Sequence, residues 1–205
     1  MSKKFSALLL ILVILLAGLP ASAEEHSHYP GFYPVHVNKG MSIPVYSAPS
    51  TDAWRGAGGK AACGTDGPFY AAGREGNWAW IVYSLNRGEN AGAWRTGYVQ
   101  ISELKGLQEE LKPFSFHYLN ATLNVSAYLT DDPNGRRTPI TYLSAGTSLI
   151  YLIAYGDFAY VQTVFEGKIV RGFVPDCCSV TVHVPRGQYT DDYCRNNFAS
   201  YDFVN

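Results

Sequence analysis

The chain has 205 residues, with 16 Lys and Arg against 17 Asp and Glu, so its formal net charge is -1. A protein that binds nucleic acid through phosphates needs clustered basic side chains, whereas Arg136-Arg137 is the one adjacent basic pair after residue 23. We therefore expect no nucleic-acid partner. The 15 Tyr, 10 Phe and 4 Trp residues, together with few charges, are typical of small β domains.

Residues 1–23 have the pattern of a secretory signal peptide. Two lysines precede an apolar run at 5–19, and Ala-Ser-Ala at 21–23 fits cleavage by signal peptidase. The run is shorter than the ~20 apolar residues that span a bilayer. We therefore predict a secreted protein that begins at Glu24 and keeps no stable membrane anchor after cleavage. Cleavage would leave 14 basic and 17 acidic side chains, because it removes two lysines and no acidic residue.

Residues 24–40 are predicted to form an irregular N-terminal arm. The segment contains prolines, glycines and three histidines, His26, His28 and His36. Histidines can bind a metal ion, but this spacing beside prolines is typical of a solvated segment. We therefore expect no metal site and no other cofactor.

A motif that occurs twice indicates an internal duplication. The segment 76–81 (Gly-Asn-Trp-Ala-Trp-Ile) is matched 80 residues later by 156–161 (Gly-Asp-Phe-Ala-Tyr-Val), and 97–99 (Gly-Tyr-Val) is matched by 172–174 (Gly-Phe-Val). Repeats of roughly 60 residues have the size of one small domain. The predicted boundaries are 41–104 for the first copy, 105–118 for a linker, 119–180 for the second copy and 181–205 for a C-terminal tail.

Turn residues and alternation predict that both copies are all-β. A long polar loop follows the opening strand of each copy, and Glu166-Gly167 is predicted to form a tight hairpin turn. The segment 103–112, which ends before Pro113, is the candidate for a short helical or 3₁₀ connector. The predicted later strands are 68–72, 78–83 and 96–101 in the first copy, and 140–143, 148–154, 158–165 and 169–174 in the second.

The motifs of both copies follow one order along the chain. The first copy has the turn Ala48-Pro49-Ser50, a polar loop, the Gly-x-aromatic strand and then 95–99 (Arg-Thr-Gly-Tyr-Val). The second copy keeps this frame but has Leu-Thr-Asp at 129–131 where the first has Ser-Ala-Pro at 47–49. Over most of residues 41–180 this order resembles tandem bacterial SH3-like (SH3b) domains. The resemblance implies two small SH3-like barrels that hold peptidoglycan or its peptide cross-bridges and do not catalyse a reaction.

Alternation along the repeated strand indicates which side chains could bind a ligand. Trp78 and Trp80 share one face of the strand, whereas Ala79 and Ile81 share the other. A small barrel favours small and β-branched side chains inside, so the aromatic face would point outward as a platform for sugar rings or peptide stems. The alternative is that these rings pack in the core or between the copies. The candidate ligand-binding residues are Tyr46, Trp54, Trp78, Trp80, Tyr98, Phe158 and Tyr160.

Four cysteines in a chain predicted to be secreted favour a disulfide. The neighbours Cys177 and Cys178 are not expected to bond each other, because a vicinal disulfide strains the peptide. Either of them could bond Cys194 and staple the tail to the second copy. Cys63 would bond across the two copies or stay a buried thiol. Zinc is not expected, because no CxxC pair is present.

Together, these patterns and the resemblance to SH3-like domains predict a secreted, non-catalytic binding protein, extracellular or cell-wall associated, whose partner is a cell-wall glycan or peptide, or an extracellular protein. One alternative is a structural or regulatory partner of another secreted protein. A second is a cysteine-dependent wall hydrolase, which would need Cys63 with His117, or Cys178 with His183. Neither pair lies in a recognised nucleophile motif.

Overall fold

The structure is a computed structural model that describes residues 30–85, 91–132, 134, 139–175 and 179–205. These residues form short β-strands with one α-helix and one 3₁₀ turn, which confirms the predicted all-β class. The predicted signal peptide lies outside them. The strands are β1 (Tyr33–Pro34), β2 (Ser42–Pro44), β3 (Ala62–Gly64), β4 (Phe69–Glu75), β5 (Trp78–Ser84), β6 (Trp94–Gln100), β7 (Leu119–Leu123), β8 (Ala127–Leu129), β9 (Thr141–Leu143), β10 (Ser148–Tyr155), β11 (Phe158–Phe165), β12 (Lys168–Pro175), β13 (Val180–Pro185) and β14 (Tyr201–Val204). The helix α1 is Asp191–Asn197, and the 3₁₀ turn is Ile101–Glu103.

The strands form two larger sheets and two ribbons. The four-stranded sheet is antiparallel and has the order β1-β4-β5-β6. The six-stranded sheet has the order β12-β11-β10-β7-β13-β14, in which β13 and β14 are parallel and the other neighbours antiparallel. The ribbons pair β2 with β3 and β8 with β9. None of the helical segments in the described residues has the length and apolar character needed to cross a membrane.

The two copies have the same strand order and matching registers. Each has a ribbon followed by a three-stranded meander, β4-β5-β6 in the first copy and β10-β11-β12 in the second. Trp80 pairs with Tyr98 in the first meander, and Tyr160 pairs with Phe173 at the corresponding place in the second. Both meanders also have a register shift between their first two strands. The duplication therefore extends from the motif to the backbone.

A glycine in each repeated motif allows the ribbon to approach the meander. Tyr46 follows β2 and bridges to Tyr98, and Thr130 follows β8 and bridges to Phe173. A Cβ at Gly172 would lie 2.6 Å from the carbonyl oxygen of Thr130, so only glycine fits there. In the described part of each copy the ribbon and the meander remain separate sheets, and they do not close into the barrel that the resemblance implies.

The buried side chains form three clusters. Ala79 and Ile81 lie in the core of the first copy, and Val161 lies in the core of the second. Trp80 and Tyr160 lie together in a third cluster, which contains residues of both copies. The predicted assignment of side chains to the two faces of the repeated strand is therefore confirmed.

The N-terminal arm is more regular than predicted. β1 extends the first meander by pairing with β4. Phe32 is buried, and its ring centroid lies 4.8 Å from that of Trp80. The backbone N–H of His36 donates to the Glu109 carboxylate at 2.7 Å. Apolar contacts and pairing with β4 thus fix this end of the arm, whereas residues 26 and 28 lie outside the described part of the chain.

The predicted helix at 103–112 is not formed. The 3₁₀ alternative is found just before it, at Ile101–Glu103. Gly106 has a φ of 74°, which a right-handed helix cannot accommodate. The chain instead follows the arm, because Asn38 N–H donates to the Lys105 carbonyl at 2.8 Å and Gln108 N–H to the His36 carbonyl at 3.2 Å.

The segment predicted as a tail completes the sheet of the second copy. β13 pairs with β7, and β14 pairs with β13. α1 connects these two strands, and the Thr190 hydroxyl caps it by accepting the Tyr193 N–H at 3.1 Å. Val182, Val184 and Phe198 are buried in the core of the second copy. The segment named as a C-terminal tail thus packs as part of the second copy, because these apolar side chains face its core.

The predicted disulfide between Cys194 and the end of the second copy is not found. Cys194 is a free thiol that is fully buried in the core of the second copy. Cys63 is also free and buried, as the buried-thiol alternative requires. Cys177 and Cys178 lie outside the described residues. The expected disulfide at Cys194 is thus not formed, and the thiol packs as a small apolar side chain.

Candidate ligand-binding cleft

The aromatic face of the repeated strand packs between the two copies. Trp80, Tyr98 and Tyr160 are 5%, 0% and 1% exposed. The rings of Trp80 and Tyr160 stack, with centroids 4.7 Å apart and planes 24° apart. The prediction that this face points outward is wrong for these three residues, because the other copy covers it.

The interface has approximate two-fold character. The two stacked rings occupy the same position of the repeated motif. The long loop of each copy also bonds the last meander strand of the other. Trp54 N–H donates to the Ile169 carbonyl at 3.0 Å, and Thr96 N–H donates to the Asp131 carbonyl at 2.7 Å. In a symmetric dimer, the same surface patch of each partner forms the interface. The two copies of this chain have a comparable arrangement within one polypeptide.

A buried arginine lies at the polar centre of the interface. Nη1 of Arg171 in β12 donates to the Glu75 carboxylate at 2.7 Å and to the Tyr98 hydroxyl at 2.9 Å. Its Nε donates to Gln162 at 2.9 Å, and its Nη2 donates to the Tyr118 hydroxyl at 3.1 Å. Because Glu75 belongs to the first copy and Arg171 to the second, this ion pair ties the copies together.

A cleft of about 270 Å³ lies where the long loop of the first copy faces the second copy. In the described part of the chain, its charged lining residues are Arg55, Arg95 and Asp131. Two wider concavities, of about 550 Å³ each, are lined by the first copy alone. The cleft of about 270 Å³ instead lies between the two copies. A junction between domains is a common location for ligand sites. Its apolar and aromatic walls include Val45, Tyr46, Trp54, Tyr83, Leu85 and Ile140.

An ion pair between the copies lies in the cleft. Arg95 Nη1 contacts Asp131 Oδ1, and Thr96 Oγ1 donates to the Asp131 carbonyl at 3.1 Å. Burial raises the pKa of Asp131, because its carboxylate loses hydration, while the guanidinium of Arg95 opposes that rise. Burial and then the nearby Asp131 raise the pKa of Tyr83, so this phenol is neutral at neutral pH. The charges of Arg95 and Asp131 therefore compensate each other within the protein.

Arg55 is the second arginine that lines the cleft, and its partners differ from those of Arg95. Its Nε donates to the Val45 carbonyl at 3.3 Å, and its Nη2 donates to the Ala61 carbonyl at 2.9 Å. The central guanidinium carbon lies 4.7 Å from the centroid of the Tyr46 ring. Two carbonyls and an aromatic face thus fix the orientation of the guanidinium without neutralising its charge.

The structure brings two of the four remaining predicted ligand-binding residues into the cleft. Tyr46 and Trp54 line the cleft. The ring of Trp78 contacts that of Tyr46 edge-on, with centroids 5.1 Å apart. Phe158 lies beside Phe173, with centroids 6.4 Å apart. Tyr46, Trp54, Trp78 and Phe158 are half-buried, so a ligand role for them stays a prediction.

Sequence reasoning missed the charged residues of the cleft and of the interface. For Arg171 a signal existed, because it stands in an apolar strand where a charge needs a buried partner. Arg95 gave the same signal, because it stands in the apolar strand β6, whereas Arg55 and Asp131 gave none, since they lie in polar loops. An exposed pair was missed as well. Tyr128 and Tyr142 face each other across the β8–β9 ribbon, with ring centroids 5.1 Å apart.

Cys63, one of the two candidate nucleophiles of the hydrolase alternative, does not have an activated thiol. Burial raises the pKa of Cys63 to about 12, so the thiolate that would act as nucleophile is not formed at neutral pH. Cys63 lies in the core of the first copy, whereas His117 packs on aromatic rings of the second. For the other pair, Cys178 lies outside the described residues, and His183 Nδ1 is 2.7 Å from Asp202 Oδ1.

The environment of His117 predicts a pH-dependent stability. Its ring lies among aromatic side chains, and Nδ1 is 3.3 Å from the Tyr189 hydroxyl. Burial lowers the pKa of His117 below 6.5, so below pH 6.5 the unfolded chain binds a proton more readily than the folded one. The free energy of unfolding should therefore fall as the pH drops below 6.5, and level off below the folded pKa.

Urea unfolding at about pH 7.5 and about pH 5.5 measures this effect. His117→Gln removes the titrating group but keeps a polar partner for Tyr189. We expect its stability to change less between the two pH values than that of the wild type. An equal change in both proteins would contradict the prediction.

Comparison with known proteins does not assign the cleft. No protein-family model matches the chain, and neither a curated protein nor a solved structure matches it. Among the described residues, no group of three His, Cys, Asp or Glu is placed to hold a metal ion. A functional proposal therefore depends on the cleft and on the interface that forms it.

Proposed function

We propose that the chain is a secreted, non-catalytic binding protein with two SH3-like units, which recognises cell-wall peptidoglycan or a peptide at the cell surface. The observation that carries this proposal is the cleft between the two copies. It combines aromatic walls, which include Tyr46 and Trp54, with the fixed cation of Arg55. Apolar walls with a few oriented polar groups are typical of binding sites for small ligands.

The repeated topology supports the SH3-like part of the proposal. In each copy a strand, a long loop and a second strand are followed by a three-stranded meander. The last meander strand of the first copy leads directly into the 3₁₀ turn at Ile101–Glu103. This repeated strand order agrees with the repeated motif order on which the sequence resemblance to SH3-like domains is based.

The size of the cleft favours a peptide over a glycan chain. Sites for drug-sized ligands have volumes of about 300–1,000 Å³, whereas this cleft has about 270 Å³. That volume suits one or two small amino-acid residues of an extended peptide. The peptide part of peptidoglycan is therefore the preferred ligand.

Retention on purified cell wall tests the proposal. Tyr46→Ala removes the ring that forms one wall of the cleft and supports Arg55. We expect it to weaken retention by roughly tenfold, as for an aromatic side chain at the centre of an interface. Tyr142→Ala is the matched control, because it removes an exposed tyrosine of the β8–β9 ribbon. Its retention should equal that of the wild type.

Two results would count against this proposal. Unchanged retention of a folded Tyr46→Ala protein would remove the cleft as the binding site. Release of wall fragments by the purified protein would show that it is catalytic.

A second candidate function is that of a structural or regulatory partner of another secreted protein. The exposed side chains Val125, Tyr128 and Tyr142 favour it, with 57%, 60% and 56% exposure. Apolar side chains grouped on a surface often mark a contact with another protein. In that case Tyr142→Ala, and not Tyr46→Ala, would disrupt the association.

A further inference from the structure

We infer that the cleft recognises a peptide carboxylate, which pairs with Arg55 while a small apolar side chain beside it occupies the apolar part of the cleft. This inference rests on the proposed function and specifies the chemical class of its ligand.

The first support is the missing counter-charge of Arg55. Its partners, the carbonyls of Val45 and Ala61 and the ring of Tyr46, are all neutral. Within the described part of the chain, no carboxylate pairs with it. A partly buried cation without an anion is a position where an incoming anion gains a charge-assisted hydrogen bond.

The second support is the charge balance of the cleft. Among the described residues that line the cleft, Arg95 and Asp131 compensate each other, which leaves the positive charge of Arg55. The predicted mature chain has more acidic than basic side chains, so this local charge is opposite in sign to that of the whole molecule. The cleft is therefore complementary to an anionic group.

The third support is the shape and polarity of the cleft walls. The guanidinium already uses Nε and Nη2 for carbonyls, which leaves Nη1 for a ligand. A carboxylate needs few donors, whereas a phosphate with three acceptor oxygens would need more than these walls offer. Val45, Leu85 and Ile140 are apolar, and the volume of about 270 Å³ suits a side chain as small as that of alanine.

Calorimetric titration with three peptides tests the inference. The probes are acetyl-Lys-Ala-Ala with a free C-terminal carboxylate, the same peptide as its C-terminal amide, and acetyl-Glu-Ala-Ala as its amide. We expect the wild type to bind the free acid at least about tenfold more tightly than its amide, since a hydrogen bond to a charged group has about this effect. Binding of the Glu peptide in place of the free acid would also support carboxylate recognition, with a side chain as its source.

Variants of Arg55 separate the effect of its charge from other causes. Arg55→Gln should bind the free acid and the amide equally, and Arg55→Lys should keep part of the preference because it keeps the charge. Arg186→Gln is the matched control. Arg186 also lies over an aromatic ring, Phe203, and donates to a neutral oxygen of Asn205. This control should keep the full preference.

The outcomes distinguish this inference from the proposed function. Equal binding of all three peptides by the wild type would overturn the carboxylate inference and leave peptide binding in place. Binding of none of the peptides, with wall retention that still depends on Tyr46, would overturn the inference alone. Loss of that dependence as well would overturn the proposed function. Thermal melting of each variant confirms that the measured proteins are folded.

Discussion

Replacing Trp80 by alanine is expected to lower the free energy of unfolding by about 3–5 kcal/mol. The indole is 5% exposed, and ring centroids of Phe32 and Tyr160 lie 4.8 Å and 4.7 Å from its own. Removing it opens a cavity between the copies, and the neighbouring rings of Tyr98 and Tyr160 are held in place by the strands β6 and β11. Urea unfolding followed by far-ultraviolet circular dichroism measures the change.

The exposed tyrosine of the β8–β9 ribbon provides the control for this variant. Tyr142 is 56% exposed, so Tyr142→Ala should change stability by no more than about 0.5 kcal/mol. We also expect the wild type to unfold in one transition, because the third cluster joins both copies. A loss below about 1 kcal/mol for Trp80→Ala would contradict a stabilising role for this interface.

Replacing Arg171 by methionine is expected to destabilise the chain by about 3–5 kcal/mol, because it leaves a mostly buried carboxylate without its partner. The side chains of Arg171 and Glu75 are 4% and 22% exposed. Methionine keeps much of the volume of the arginine stem, so the loss reports mainly on charge and hydrogen bonding. The Tyr98 hydroxyl would lose a donor at 2.9 Å as well.

A double variant distinguishes the unpaired charge from lost packing. Arg171→Met combined with Glu75→Leu removes both charges and should recover roughly half or more of the loss. The single variant Glu75→Leu leaves the arginine buried and should be strongly destabilising. If the double variant loses as much stability as the two single variants added together, the ion pair does not couple the copies.

The interface between the copies also has a functional consequence. It places the long loop of the first copy against the second copy, and the cleft with Arg55 lies between them. A variant that separates the copies should therefore lose ligand binding even when its own residue is not in the cleft. Trp80→Ala allows this to be tested on the same wall-retention assay, since Trp80 does not line the cleft.

Local sequence patterns predicted much of the backbone. The division of Ala79, Ile81 and Trp80 between two faces follows from strand alternation and is confirmed. The hairpin at Glu166-Gly167 is confirmed too, since these residues have φ angles of 52° and 72° between β11 and β12. These features depend on neighbouring residues, so a short segment contains the information for them.

Other parts of the fold depend on partners that are distant in the sequence. The arm lacks a strong strand pattern and becomes ordered by pairing with β4. The supposed tail begins with an alternating apolar and polar run at 180–184, which is a strand pattern that the prediction overlooked, and its pairing with β7 decides its place in the sheet. The supposed connector helix gives way to contacts with the arm and to the positive φ of Gly106. In the arm and the connector, a tertiary contact outweighs a weak local preference.

The amino-acid order alone was enough to establish a duplicated all-β chain with an aromatic face in each copy, because alternation and turn chemistry act over a few residues. Only the tertiary structure shows which residues cover that face and which charged side chains form pairs. Trp80 and Tyr160 are 80 residues apart in the chain but 4.7 Å apart between ring centroids. Packing of one copy on the other buries those rings, pairs Arg171 with Glu75 and leaves Arg55 beside a cleft without an anionic partner among the described residues.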